Sequence, residues 1–113
     1  MTTYGVDFIL GEVGSQRDEI VENILYPAID QANKTLPEEK NIAKSVEALL
    51  FGSGGPLSSL GLVRLVAAVE ENIQTHFGRS VRLASRAAMS RAQSPFQNVS
   101  ALAEYIEDLL TKN

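Results

Sequence analysis

Four stretches of the chain repeat apolar residues three or four positions apart, the period of one helix face, and none alternates in the two-residue period of a strand. The first begins at Ser15, where a capping Ser and an acid three residues later, Asp18, have the form of a helix start. Ile20, Ile24, Ala28 and Gln31 lie along one face, flanked by Val21, Leu25 and Ile29. Pro27 falls inside this run. Its ring clashes with the carbonyl four residues back and it offers no N–H, which predicts a kink or break near Tyr26 before the helix direction continues to about Lys34.

Residues 36 to 40 read as a loop. Residues 41 to 51 carry the chain to the next helix, with Ile42, Val46, Leu49 and Leu50 as apolar contacts and Phe51 as an aromatic plug for the core. Gly52, Ser53, Gly54 and Gly55 then form a hinge ahead of Pro56 and Leu57; as a nucleotide loop the run is weak, because no Lys follows at the Walker spacing. From Leu60 a second helix is predicted to bury Leu60, Val63, Val66, Val69 and Ile73, with Leu62 and Leu65 toward the edges of the stripe. Gly78 is placed to close it in the left-handed conformation. Residues 85 to 91 predict a short third helix that stops before Ser94 and Pro95. Asn98 caps a last helix whose stripe is Val99, Leu102, Ile106 and Leu109, with Tyr105 and Leu110 beside it and Glu104, Glu107 and Asp108 on the wet side.

Four amphipathic segments around one core predict an all-α fold, a small antiparallel four-helix bundle with a short third helix, over residues 15–113. Residues 1–14 carry Tyr4, Val6, Phe8, Ile9, Leu10 and Val13 but are broken by Gly5, Gly11 and Gly14. They form an N-terminal arm, either folded back on the bundle or a loose tail.

Composition narrows the chemistry. The 113 residues suit one small domain. There is no Cys, which removes disulfides and thiolate metal sites, and His76 is the single His. No metal site and no catalytic constellation is expected, and His76 reads as a structural or solvated residue near a helix end. No stretch approaches the ~20 apolar residues of a membrane span, and the N-terminus lacks the basic region of a signal peptide, so a cytoplasmic protein is expected.

Residues 1 to 74 hold 5 Lys/Arg against 11 Asp/Glu, whereas residues 75 to 113 hold 5 against 3. The acidic front argues against nucleic-acid binding and suits visits to basic partner surfaces. Arg79, Arg82, Arg86 and Arg91 lack interleaved aromatics and read as a solvated face.

Candidate chemistry concentrates where the Gly-rich loop meets the second helix. The first turn of a helix exposes unpaired N–H groups and a partial positive charge, so a phosphate carried by a Ser there is favoured. Ser58 and Ser59 occupy that junction. The run Pro56-Leu57-Ser58-Ser59-Leu60-Gly61-Leu62-Val63 resembles the Asp-Ser-Leu segment of acyl carrier proteins at the start of their second helix, and the helix pattern is similar over residues 16 to 111.

The resemblance implies that Ser59 carries a covalent 4'-phosphopantetheine arm, whose thiol holds acyl groups as thioesters, with Ser58 and Leu60 positioning it. It implies partner docking through Arg64, Glu70 and Glu71. It also implies an acyl-chain pocket between helices two and three, lined by Leu65, Val66, Val69 and Met89. The implied partners are a phosphopantetheinyl transferase and acyl-activating or condensing enzymes of fatty acid, related lipid or polyketide synthesis. The protein would be a monomer that tethers rather than catalyses.

Two positions depart from the family pattern: Ser58 stands where Asp is usual, and Arg64 where an acid is usual. Ser and Asp are both good N-caps, so the helix start is expected to hold. What disappears is negative charge that attracts basic partner surfaces. The same residues also read as an unmodified helical protein–protein interaction module that kept the bundle and lost the arm. In that reading Ser58 is a cap, Ser59 an ordinary exposed serine and Glu70-Glu71 a solvated face.

Overall fold

The computed structural model describes residues 15–84 and 94–111. The expected arm over residues 1–14, the expected third helix over 85–91 and Met89 lie outside the described residues.

The first helical rod, α1, joins three contiguous segments: an α-helix Ser15–Ile20, a π-helical turn Val21–Leu25 and an α-helix Tyr26–Asn33. Pro27 explains the middle one. In a regular helix its ring would press on the Asn23 carbonyl, four residues back. Here the turn ahead of it is widened, and the Tyr26 N–H reaches back five residues to the Val21 carbonyl. Pro27 then sits in the first turn of the next segment, where a missing N–H costs little. The irregularity falls at the expected place, but it is a wide turn within a continuing helix, not a break. Ile20, Val21, Ile24, Leu25, Ala28 and Ile29 are buried along this rod, while Gln31, expected on the same face, is exposed.

A 3-10 turn, Glu38–Lys40, follows, and the Asn33 side chain then clips the loop from both sides. Its Nδ2 donates to the Ile42 carbonyl at 2.9 Å and its Oδ1 accepts from the Ile42 N–H at 2.8 Å.

The second rod, α2, is the 19-residue helix Ser59–Phe77, closed by Gly78 in the left-handed region (φ 70°), whose N–H donates to the Gln74 carbonyl at 2.9 Å. Its buried stripe is Leu62, Leu65, Val66, Val69 and Ile73. This corrects the expected phase. Leu60 and Val63 are 59% and 63% exposed, and Leu62 and Leu65, expected at the edges, lie inside. The first turns of α2 are apolar almost all round, so periodicity admits two rotations. Polar anchors select one of them. Asn72 Nδ2 donates to the Ile24 carbonyl, in the widened turn of α1, at 3.1 Å, and Glu70 Oε2 accepts from the Leu83 N–H at 2.7 Å. Val69 and Ile73 are thereby aimed into the core, where neither is exposed.

The third rod, α3, is the helix Val99–Thr111. Asn98 caps it as its sequence suggests, its Oδ1 accepting from the Ala101 N–H at 2.7 Å. The Val99 and Ser100 N–H groups donate to the carbonyls of Ala48 and Val46, at 3.0 and 2.9 Å, so the 46–51 loop closes the head of α3. Leu50 is buried in that loop, but Val46 and Leu49, expected as core contacts, are 46% and 42% exposed. Phe51 is only partly buried. Among the described residues the aromatic most enclosed is Phe96, edge-on to Tyr105 at 6.2 Å.

α1 is the hub of the packing: its later segments meet α2, its first segment meets α3, and its widened turn touches both. Across the α1–α3 seam, Arg17 Nε and Nη2 both donate to Glu107 Oε1, at 2.8 and 2.5 Å. The protein is thus helical, with three helical rods and no strand among the described residues; strand-like pairing there is limited to the isolated bridges Leu49–Asn98 and Phe51–Leu57.

Candidate functional site

The approach to α2 is a fastened turn, not the hinge its composition suggests. Gly52 and Gly54 hold positive φ, 101° and 81°, which a side chain would strain. The Gly55 N–H donates to the Gly52 carbonyl at 2.9 Å, and the Leu57 N–H to the Leu50 carbonyl at 3.0 Å. A Cβ on Gly55 would stand 2.6 Å from that same Leu50 oxygen. Leu57 is buried, so the residues that follow have little freedom to swing.

Ser58 is the N-cap, in extended conformation (φ −78°, ψ 174°). Its Oγ accepts from the Gly61 N–H at 3.1 Å, and its carbonyl accepts from the Leu62 N–H at 2.8 Å. Ser59 is the first helical residue and is exposed; among the described residues its hydroxyl has no hydrogen-bond partner. No acid lies in the first turn of α2, and Arg64, exposed, is one turn further on. With the helix dipole, these features make the head of α2 electropositive within a chain of net charge −4.

Two concavities flank α2. One, of about 340 Å³, runs between α1 and α2. Ala28, Ala32, Leu36, Leu57, Leu65 and Ala68 give it apolar walls, with Ser58 and Arg64 at the α2 end. The other, of about 610 Å³, lies on the opposite side of α2 against Val66, Ala67, Val81 and Phe96.

The expected site residues separate accordingly. Ser58, Leu60 and Arg64 gather around the first concavity, with Ser59 beside them in the chain. Of the residues expected around an acyl chain, Leu65 lines the first concavity, Val66 lines the second and Val69 is sealed in the core. Glu71 is exposed, whereas the Glu70 carboxylate is half-buried and holds the Leu83 backbone in place. The Leu83 carbonyl also accepts from the Tyr105 hydroxyl at 2.8 Å, so Leu83 is pinned from α2 and α3 together. That role was hidden in the sequence, since it depends on a backbone N–H 13 residues away.

His76 lies near the end of α2, its Nε2 2.6 Å from Glu19 Oε2, tying α2 to α1. Among the described residues no group of three or more His, Cys, Asp or Glu could hold a metal ion, and no helix is long and apolar enough to cross a membrane.

Comparison with protein-family models, curated proteins and solved structures gave no match for this chain.

Proposed function

We propose that the protein is an acyl carrier of the four-helix type, with Ser59 as the attachment point for 4'-phosphopantetheine. The observation that carries the reading is the setting of Ser59: an exposed hydroxyl without a partner among the described residues, on the first residue of the 19-residue helix α2, held there by the Ser58 cap and the fastened 52–57 turn. When bound, the arm supplies a thiol that holds acyl groups as thioesters.

The chain's own residues present and orient it. The unpaired N–H groups at the head of α2 favour a phosphate on Ser59. A rigid base confines the arm, which raises the effective concentration of its cargo for visiting enzymes to roughly millimolar levels. The proposed partners are a phosphopantetheinyl transferase and acyl-activating or condensing enzymes of fatty acid, related lipid or polyketide synthesis. No residue of the chain is assigned a catalytic role.

The exposure of Leu60 and Val63 also supports a second reading, an unmodified interaction module that binds partners through this face of α2. The two readings separate at one hydroxyl. Incubation with labelled pantetheine donor and a broad-specificity transferase is expected to label the peptide containing Ser59 and to leave Ser59→Ala unlabelled. Absence of label on the wild-type chain, with partner capture intact in both proteins, would select the interaction module instead.

A further inference from the structure

We infer that the cleft between α1 and α2 is a binding site for a small, free aromatic carboxylate, with Arg64 receiving the carboxylate and the ring lying between the two helices. Ser59 is not part of the cleft wall, so the site stands apart from the carrier reading and needs no covalent arm.

Two contacts set how the helices face each other. Glu19 meets His76, and the Ile24 carbonyl meets Asn72, so α1 and α2 run antiparallel. Continued along both helices, the same register brings Gln31 and Ala32 of α1 level with Arg64 and Leu65 of α2, and all four line the cleft. Its volume of about 340 Å³ falls in the range of small-ligand sites, and its wall has the expected mix of apolar surface with few polar groups. Much of that wall is small: Ala28 and Ala32 on the α1 side, Gly61 and Ala68 on the α2 side. Such a slot suits a planar ring, which is rigid and loses less freedom on binding than a flexible chain of similar size.

Charge selects the other end of the ligand. Among the described residues Arg64 is the one charged side chain lining the cleft, so no acid in its wall opposes an anion. Neither the Arg64 guanidinium nor the Gln31 side-chain amide has a hydrogen-bond or ion-pair partner among those residues. Helical side chains lean toward the N-terminus, so Arg64 lies over Leu60 and Gly61, both in the cleft wall. Its planar fork matches a carboxylate through two parallel hydrogen bonds, and the Gln31 amide can donate to the same group. One cation balances one negative charge, which favours a carboxylate over a doubly charged phosphate.

The test is a titration of the isotope-labelled full chain, followed by its amide shifts, on a sample whose intact mass shows no modification. The probes are 3-phenylpropanoate, its neutral amide and hexanoate. The expected result is saturable shifts at Ala28, Gln31, Ala32 and Ala68 with 3-phenylpropanoate, with a Kd on the order of a millimolar. Arg64→Gln should weaken that binding about tenfold, and the neutral amide should bind the wild-type chain more weakly by a similar factor. Ala32→Phe fills the slot and should abolish the shifts; if that variant fails to fold, Ala68→Leu serves the same purpose. Shifts absent or confined to other parts of the chain, or binding that Arg64→Gln leaves unchanged, would overturn the assignment. Hexanoate binding as tightly as 3-phenylpropanoate would overturn the choice of an aromatic ligand. Because the sample carries no arm, none of these outcomes depends on whether a transferase modifies Ser59.

Discussion

Ser58 caps the head of α2. Its Oγ holds the Gly61 N–H as an Asp carboxylate would, but places no charge beside Ser59. Ser58→Ala is expected to lower unfolding free energy by about 1 kcal/mol in urea titrations, whereas Ser58→Asp should match or slightly exceed the wild-type stability. Gly55 is the opposite case, a residue whose need is steric. Gly55→Ala places a methyl against the Leu50 carbonyl and is expected to cost about 2 kcal/mol, read by the same titration. The cap was legible in the sequence because capping chemistry is local. The constraint on Gly55 and the anchoring by Glu70 were not, since each depends on a backbone group placed by the fold: the Leu50 carbonyl and the Leu83 N–H.

At the scale of elements, the helices announced themselves by period and caps, and Gly78 and Asn98 act as their types suggest. Two features escaped. Pro27 forecasts a disturbance but not its form, because the choice between a break and a widened turn depends on what packs alongside, here Asn72 reaching the Ile24 carbonyl. The rotation of α2 escaped for a related reason. Leu60, Leu62, Val63, Leu65 and Val66 fit two stripes equally well, and only the anchors at Glu70 and Asn72 decide between them. The decision has a measurable consequence. Ile73→Ala is expected to cost about 3 kcal/mol or more, while Leu60→Ala and Val63→Ala should each stay within about 0.5 kcal/mol of wild type, by thermal or urea unfolding. A large loss at Leu60 or Val63 would return the helix to the rotation its spacing first suggests.

Among the described residues, the pattern is a helical body with two unlike helix heads. α1 gathers α2 and α3, the 46–51 loop closes the head of α3 with its own carbonyls, and the head of α2 is left open with Ser59 on it. That contrast between a closed and an open helix head was invisible in a sequence where both begin with ordinary capping residues. Net charge misleads in the same way: the chain is acidic overall, yet the first turn of α2 holds no acid and leads to Arg64. On the proposed carrier reading, a partner that meets this end faces a less acidic surface than the family resemblance implies, and association is expected to be slower with strongly basic enzymes.

The central claim is that Ser59 carries the arm, and intact mass tests it most directly. The wild-type chain, Ser58→Asp and Ser59→Ala are each co-expressed with a broad-specificity phosphopantetheinyl transferase and weighed whole. The account predicts a gain of one phosphopantetheine group on the wild-type chain and on Ser58→Asp, and none on Ser59→Ala. No gain on either of the first two proteins would contradict it.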